Sequence, residues 1–216
     1  LEARLTVVAA RLIVFAKAPV AGQAKTRLIP ALGASGAAEL AARLLQHTLA
    51  TAEAAGFPAL ELCVSPDTAH PAFQAVAQLP HAMWTLTLQG EGDLGARMQR
   101  RLHAALATAG PALLIGTDAP SLDAAVLQAA SAALADHDAV FVPALDGGYA
   151  LVGLARPAPQ LFESIAWSTA AVMAQTRERA RTAGLRCAEL PPVHDIDLPE
   201  DLVHLPPGWP EKVQRA

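Results

Sequence analysis

Short apolar runs punctuate the chain, each bounded by glycine, proline or polar residues: LIVFA (12–16), ALELCV (59–64), MWTLTL (83–88), ALLIG (112–116), AVFVPA (139–144), ALVGLA (150–155) and LRCAEL (185–190). Their length and their richness in branched residues predict β-strands. Between them, apolar positions recur at helical spacing over about 35–55, 94–109, 123–136 and 169–184. In the second of these helices Leu94, Met98, Leu102, Ala105, Leu106 and Ala109 share a face from which Arg97, Arg100 and Arg101 are excluded. Ser35 and Asp123 are candidate N-caps, and Gly56 is a candidate helix stop. Strands alternating with helices predict an α/β fold: a mostly parallel sheet covered on both faces, with the wholly apolar ALLIG as a central strand.

In open α/β sheets ligands bind beyond the carboxyl ends of the strands. The segments placed there are KAPVAGQAKTR, QGEGDLGAR, TDAPSLD and DGGY, all polar or glycine-rich. The first is not a P-loop, because Gln23 and Ala24 separate Gly22 from Lys25 and Ala18 opens the turn. Its cations Lys17, Lys25 and Arg27 still call for an anion, the alternative being a solvated loop face. Gly90, Gly92 and Gly95 fit G-x-G-x-x-G by letter, but they follow the third strand and lack the ribose-binding acid, which argues against a dinucleotide site. Asp118 follows the central strand and reads either as a turn residue or as a ligand for a hard divalent cation. In DIDLPEDL, Asp195 and Asp197 share one face of an extended stretch, with Ile196 on the other. Glu200 and Asp201 complement the start of a following helical turn. Asp146 begins an Asp-Gly turn at the ligand edge, and Trp167 is either core or a platform for a sugar. The histidines show no metal-ligand spacing.

Composition narrows the partners. With 216 residues, 16 basic and 20 acidic, the chain carries a net charge of −4 and no basic run, which argues against nucleic acid. Cys63 and Cys187 lie in apolar strands and read as reduced, buried thiols of a cytoplasmic protein. No unbroken apolar stretch reaches the roughly 18 residues of a membrane span. The reading is an N-terminal extension (1–11), one domain (12–205) and a surface tail (206–216).

FAKAPVAGQAKTRL, QGEGDLGARM, GTDAPSL, PALDGGYALVGL, WST with Gln175-Thr176 beyond it, and DIDLPEDL stand in an order that resembles a bacterial family of proposed glycosyltransferases. That family has the nucleotide-diphospho-sugar transferase (GT-A) fold, a Rossmann-like three-layer α/β/α sandwich, and some members are assigned to arsenosugar biosynthesis. More distantly, the chain looks like the guanylyltransferases of molybdenum-cofactor and phospholactate metabolism. The resemblance implies that Lys17, Gly22, Lys25 and Arg27 hold the nucleotide's phosphates. It implies Asp118 and Asp197 as ligands of Mg²⁺ or Mn²⁺, with Asp195 a weaker candidate. Gln89, Gly90, Gly92 and Asp93 would surround the base or ribose. Asp146, Gly147, Gly148 and Tyr149 would face the acceptor or sugar, with Trp167, Ser168 and Thr169 nearby. Catalytic roles fall to Asp118 and to Asp146, the latter as candidate general base. Ala119, Leu198 and Ala150 depart from the family's frequent Cys, Thr and Tyr, and Leu198 removes a hydroxyl beside the second metal ligand.

The expected function is metal-dependent transfer of a sugar from a nucleotide-diphospho-sugar to a small-molecule acceptor. Nucleotidyl transfer with release of pyrophosphate is the competing reading, and a nucleotide-binding regulator without turnover is a third. Ala18 and Pro19 stand in place of the glycine-rich, arginine-containing opening loop of sugar nucleotidyltransferases, which favours sugar transfer.

Overall fold

β1 (Arg11–Lys17) shows how the sheet is built: Leu12, Val14 and Ala16 join one hydrophobic cluster, while Ile13 and Phe15 join another. A strand whose two sets of alternating side chains are both apolar must be covered on both faces. A computed structural model of the chain describes residues 10–77, 84–207 and 209. Most of the expected extension and tail, and Met83 at the head of the third strand, lie outside the described residues.

The remaining strands are β2 (Ala59–Ser65), β3 (Trp84–Leu88), β4 (Ala112–Ile115), β5 (Ala139–Pro143), β6 (Tyr149–Leu154) and β7 (Cys187–Glu189). They form one sheet in the order β3-β2-β1-β4-β6-β5-β7. Every pairing is parallel except those of β6, which runs antiparallel to β4 and β5. The tight Asp146-Gly147-Gly148 turn between β5 and β6 imposes that reversal, since strands joined so closely cannot run parallel. The carboxyl ends of the parallel strands and the amino end of β6 therefore lie at one edge of the sheet.

Among the described residues five α-helices complete the layers: α1 (Ile29–Ala54), α2 (Pro71–Ala77), α3 (Leu94–Ala109), α4 (Ala124–Ala133) and α5 (Val172–Thr182). Leu45 and Leu49 of α1, Phe73 and Val76 of α2 and Leu127 of α4 pack on one face. Met98, Leu102 and Ala105 of α3 and Met173 and Ala180 of α5 pack on the other. The result is the expected three-layer α/β/α sandwich. A third cluster joins Leu28, Leu40 and Leu44 to Ile196, Leu202 and Leu205. Burying Ile196 completely is worth roughly 1.5–3 kcal/mol, and it anchors the late acidic segment to the start of α1. Trp209 lies edge-on to His47 and against Arg43, so this tail residue packs on α1.

Some expectations are corrected. Ile29–Ala54 is two helical segments joined across a kink at Gly33 (φ 71°, ψ 167°): the longer one starts just after Gly33, close to the expected start at about 35 but without a Ser35 cap, and an unexpected short one precedes it with Pro30 in its first turn. α2, absent from the expected elements, is only seven residues long, too short for a helical period to stand out. Asp123 does cap α4, accepting from the Val126 amide at 2.8 Å, and Gly56 ends α1 with φ 70°. Although no unbroken apolar run is long enough, Thr26–Ala54 is long and apolar enough in composition to cross a membrane. Glu39, Arg43 and His47 break the run, while Leu40, Leu44, Leu45 and Leu49 are buried within the fold. Glu61 of β2 is fully buried and answered by Arg101 at 2.7 Å, Arg11 at 3.4 Å and the Thr87 hydroxyl at 2.7 Å.

Candidate active site

β1 and β4 are neighbours from which the chain continues in opposite directions along the sheet, to β2 from one and towards β5 from the other, so the loops that follow them meet at the switch point of the strand order. The loop after β1 is tied internally. The Gln23 and Ala24 amides donate to Val20 O, Gly22 takes φ 76°, and Lys17 Nζ donates to Gln23 O at 2.9 Å. Lys17 thus braces the loop. Lys25 adopts left-handed backbone angles (φ 47°, ψ 44°) ahead of a 3₁₀ turn at Thr26–Leu28, and this conformation turns its side chain inward.

Lys25 is where distant segments meet. Its ammonium is 2.7 Å from Asp118 Oδ1 and 3.8 Å from Asp197 Oδ1, and it donates to Ile196 O. Arg27 Nη1 bonds Asp197 Oδ2 at 2.7 Å, and the Ile196 amide donates to Asp118 O at 2.8 Å. The Lys25 side chain is only 7% exposed, against 53% for Asp118, so the pair reaches from protein interior to open crevice. Asp201 is spent on the local turn, its Oδ2 accepting from the Asp197 and Leu198 amides.

Asp195 lies beside this cluster, where Asp146 and, more weakly, Lys25 act on its carboxyl. A parallel bridge between Ala144 and Val193 continues the sheet edge and brings Asp146 alongside Asp195. Burial pushes the Asp195 carboxyl upward, and the neighbouring Asp146 carboxylate adds to the push. Asp146 Oδ1 accepts from the Gly148 amide at 2.8 Å, which fixes the turn.

Two carboxylates, Asp118 and Asp197, converge on one positive charge. That donor set suits Mg²⁺ or Mn²⁺, which take one or two protein carboxylates and fill the remaining positions with water and phosphate oxygens. Among the described residues no group of three or more His, Cys, Asp or Glu side chains is placed to hold a metal ion by itself.

The loop after β3 lies across the same edge. Gln89 is buried, with Nε2 donating to Ala16 O and Cys63 O at 3.2 Å each. Asp93 caps α3 through the Ala96 amide. Two residues that sequence reasoning set aside shape this loop. Arg100 donates to Gln89 O and Glu91 O, both at 2.6 Å, and Arg97 donates to Gly92 O at 2.8 Å. Their exclusion from the apolar face of α3 frees them to reach outward but does not name the carbonyls they reach.

The turn after β5 and the loop at 163–169 form the opposite wall. At Gly147 (φ 94°) a Cβ would lie 2.2 Å from Ala170 O, and the Gly147 carbonyl accepts from the Met173 amide. Trp167 packs on Tyr149 and Phe162. It also reaches Gly95 at the start of α3 so closely that any Cβ there would overlap its indole. Ser164 and Ser168, on either side of Trp167, have positive φ, and the loop is held by the Ala166 amide donating to Gln175 Oε1 at 2.7 Å. The Tyr149 hydroxyl is buried and finds no partner among the described residues, and burial pushes its ionisation far up. Of the expected site residues, Asp93 is occupied by a helix cap, Lys17 by a loop brace and Asp146 by its own turn, while Tyr149 and Trp167 pack against each other.

The sequence profile of a family described as an uncharacterized protein conserved in bacteria (DUF2064) matches residues 48–169. The chain belongs to this family. The DUF2064 chain is also similar to a crystal structure described as a "putative nucleotide-diphospho-sugar transferase" from Desulfovibrio desulfuricans G20. The two are 32% identical over 89% of this chain and 84% of the other, with a TM-score of 0.81. The fold extends to the inositol-1-phosphate CTP transferase from T. maritima (13% identity, 96% of each chain, TM-score 0.56). It extends as well to a CMP:2-keto-3-deoxy-manno-octonic acid synthetase complexed with CTP (12% identity, 90% of this chain and 95% of that one, TM-score 0.56). No curated protein matches this DUF2064 sequence. The nucleotide-diphospho-sugar transferase fold is therefore that of this chain.

Proposed function

We propose that this protein is a metal-dependent transferase that moves a sugar from a nucleotide-diphospho-sugar donor to a small-molecule acceptor. The observation that carries the reading is the convergence of Asp118 and Asp197 on Lys25 and Arg27 at the switch point of the sheet. A carboxylate and a diphosphate repel by roughly 4 kcal/mol per unit pair at 4 Å in an effective dielectric near 20, so the two need a cation between them. Lys25 and Arg27 would bind the diphosphate, while Asp118 and Asp197 would hold Mg²⁺ or Mn²⁺. When bound, the metal would neutralise charge on the departing nucleoside diphosphate. Gln89, Gly90 and Gly92, held by Arg97 and Arg100, would cradle the base or ribose. Trp167 and Tyr149 would flank the sugar, and Asp146 would accept the proton of the attacking hydroxyl.

The similarity to the Desulfovibrio protein and the Ala18-Pro19 opening of the first loop both support sugar transfer. Nucleotidyl transfer is the second reading, favoured by the shared fold of the cytidylyl-transferring relatives. Calorimetry with UDP, GDP and CDP, with and without Mg²⁺, tests the first reading on wild-type protein and on Asp118→Asn. Metal-dependent binding lost in the variant is expected. Equal binding without metal, unaffected by the substitution, refutes the site. Mass detection of a released nucleoside diphosphate supports sugar transfer, and release of pyrophosphate assigns the second reading. Asp146→Asn should abolish turnover while sparing nucleotide affinity; loss of affinity would refute its role as base.

A further inference from the structure

We infer that Lys25 is a built-in counter-cation that closes the metal position until a phosphate-bearing ligand draws it away, so that metal and nucleotide are taken up together. The inference rests on the reading that Asp118 and Asp197 hold the metal. The Lys25 ammonium already sits where those two carboxylates converge, 2.7 Å from one and 3.8 Å from the other, with the Ile196 carbonyl completing its hydrogen bonding. A hard dication binding the same Asp118 oxygen stands at about 2.1 Å from it. Dication and ammonium would then share one oxygen, their charges a few ångströms apart in a place where the lysine is largely withdrawn from water.

The lock is set by the backbone. Lysine rarely takes left-handed angles, and here the following 3₁₀ turn, closed by the Leu28 amide on Lys25 O at 2.9 Å, holds it there. Arg27 is 61% exposed and bonds the outer oxygen of Asp197, so it can greet an incoming anion without leaving its partner. A diphosphate supplies the negative charge that lets the ammonium turn from Asp118 towards phosphate oxygens. Free metal supplies none, and must instead displace the ammonium against like-charge repulsion.

Equilibrium dialysis of Mn²⁺ against the full chain tests this without any turnover. Lys25→Asn and Lys25→Gly both suit left-handed backbone angles, and far-UV circular dichroism checks that each folds. Both variants should retain free Mn²⁺ more tightly than wild type by about tenfold or more, the scale of one removed close repulsion. The gain should vanish in Lys25→Asn combined with Asp118→Asn. Wild type should retain Mn²⁺ well only when pyrophosphate is added. If the Lys25 variants gain nothing while wild type with pyrophosphate retains Mn²⁺ through Asp118, the lock is overturned and the transferase reading stands. If wild type binds free Mn²⁺ as tightly as with pyrophosphate, the lock is likewise overturned. If no arm shows Asp118-dependent retention, the metal site falls, and the lock with it.

Discussion

Replacing Gly95 by alanine probes whether the glycine-rich loop and the aromatic wall act as one unit. A Cβ built on Gly95 would lie 2.3 Å from Trp167 Nε1, 2.4 Å from Cε2 and 2.5 Å from Cζ2. Ordinary carbon contacts are about 3.5–4.0 Å, so the indole must retreat by about 1 Å or more. It cannot do so freely: its loop is pinned by Gln175 at Ala166 and by the Thr169 hydroxyl on Ala166 O at 2.7 Å. Retreat also loosens the edge contact with Tyr149 and the stack on Phe162. Overpacking of this kind costs roughly 1–3 kcal/mol, and alanine's better helix propensity returns somewhat less than about 1 kcal/mol near a helix end. A net loss of about 1–2 kcal/mol should lower the melting temperature by about 2–8 °C for a chain of this size. Scanning calorimetry measures that shift. Trp167 emission in a Trp84→Phe, Trp209→Phe background should move with it. Trp167→Ala should relieve the penalty, giving a favourable coupling in the double-mutant cycle. Gly95→Ala melting within about 1 °C of wild type, with unchanged emission, would refute the contact.

Three further outcomes follow from the described contacts. Glu61→Gln leaves the Arg101 guanidinium buried without its counter-charge, and it should cost roughly 3–5 kcal/mol in urea unfolding at unchanged m-value; a loss below about 1 kcal/mol would contradict the buried pairing. Tyr149→Phe removes a buried hydroxyl with no partner among the described residues, so it should stabilise the chain by about 1 kcal/mol, and a destabilisation would mean that the hydroxyl is bonded. Asp138 is lowered from 3.8 to about 2 by the Arg156 hydrogen bond and then by the Arg186 amide. Its folded pKa lies below the unfolded one, so its contribution is complete above about pH 4 and is lost as pH falls through about 2. Asp138→Asn should therefore flatten the acid limb of the stability curve across that window, as followed by circular dichroism melts.

The strands were legible because each is a short apolar run closed by glycine, proline or charge, a pattern that needs no partner to be read. The short helical segment of α1 ahead of the Gly33 kink was not. Lys25, Thr26 and Arg27 look like a solvated loop, and Ser35 resembles a cap, yet Pro30 in the first turn is the signal that carries the boundary. The meeting of Lys25 and Asp118, 93 positions apart (118 − 25 = 93), was legible through one rule, that the loops after neighbouring strands gather at one sheet edge. The hold of Arg97 and Arg100 on the loop was not legible. Both donate to backbone carbonyls, an acceptor every residue carries, so no residue pattern distinguishes these partners before the loop is folded. The contact of Gly95 with Trp167 was hidden for a similar reason: a missing side chain marks a close approach without naming what approaches.

Ile196 shows why the site depends on the far end of the chain. Its side chain is buried among Leu28, Leu40 and Leu44, its amide is bonded to Asp118 O, and its carbonyl accepts from Lys25. One apolar residue therefore registers the late acidic segment against both the β1 loop and the β4 loop. Because Ile196 faces inward, alternation turns Asp195 and Asp197 outward, but to different neighbours: Asp197 meets Lys25 and Arg27, whereas Asp195 is set beside Asp146. A shift of one residue in this segment would exchange the buried and exposed sets, driving a carboxylate into the leucine cluster. The cost of that exchange, a buried unpaired charge, is what keeps the acids in register. The hydrophobic core thus fixes the spacing on which the charge chemistry at the crevice relies.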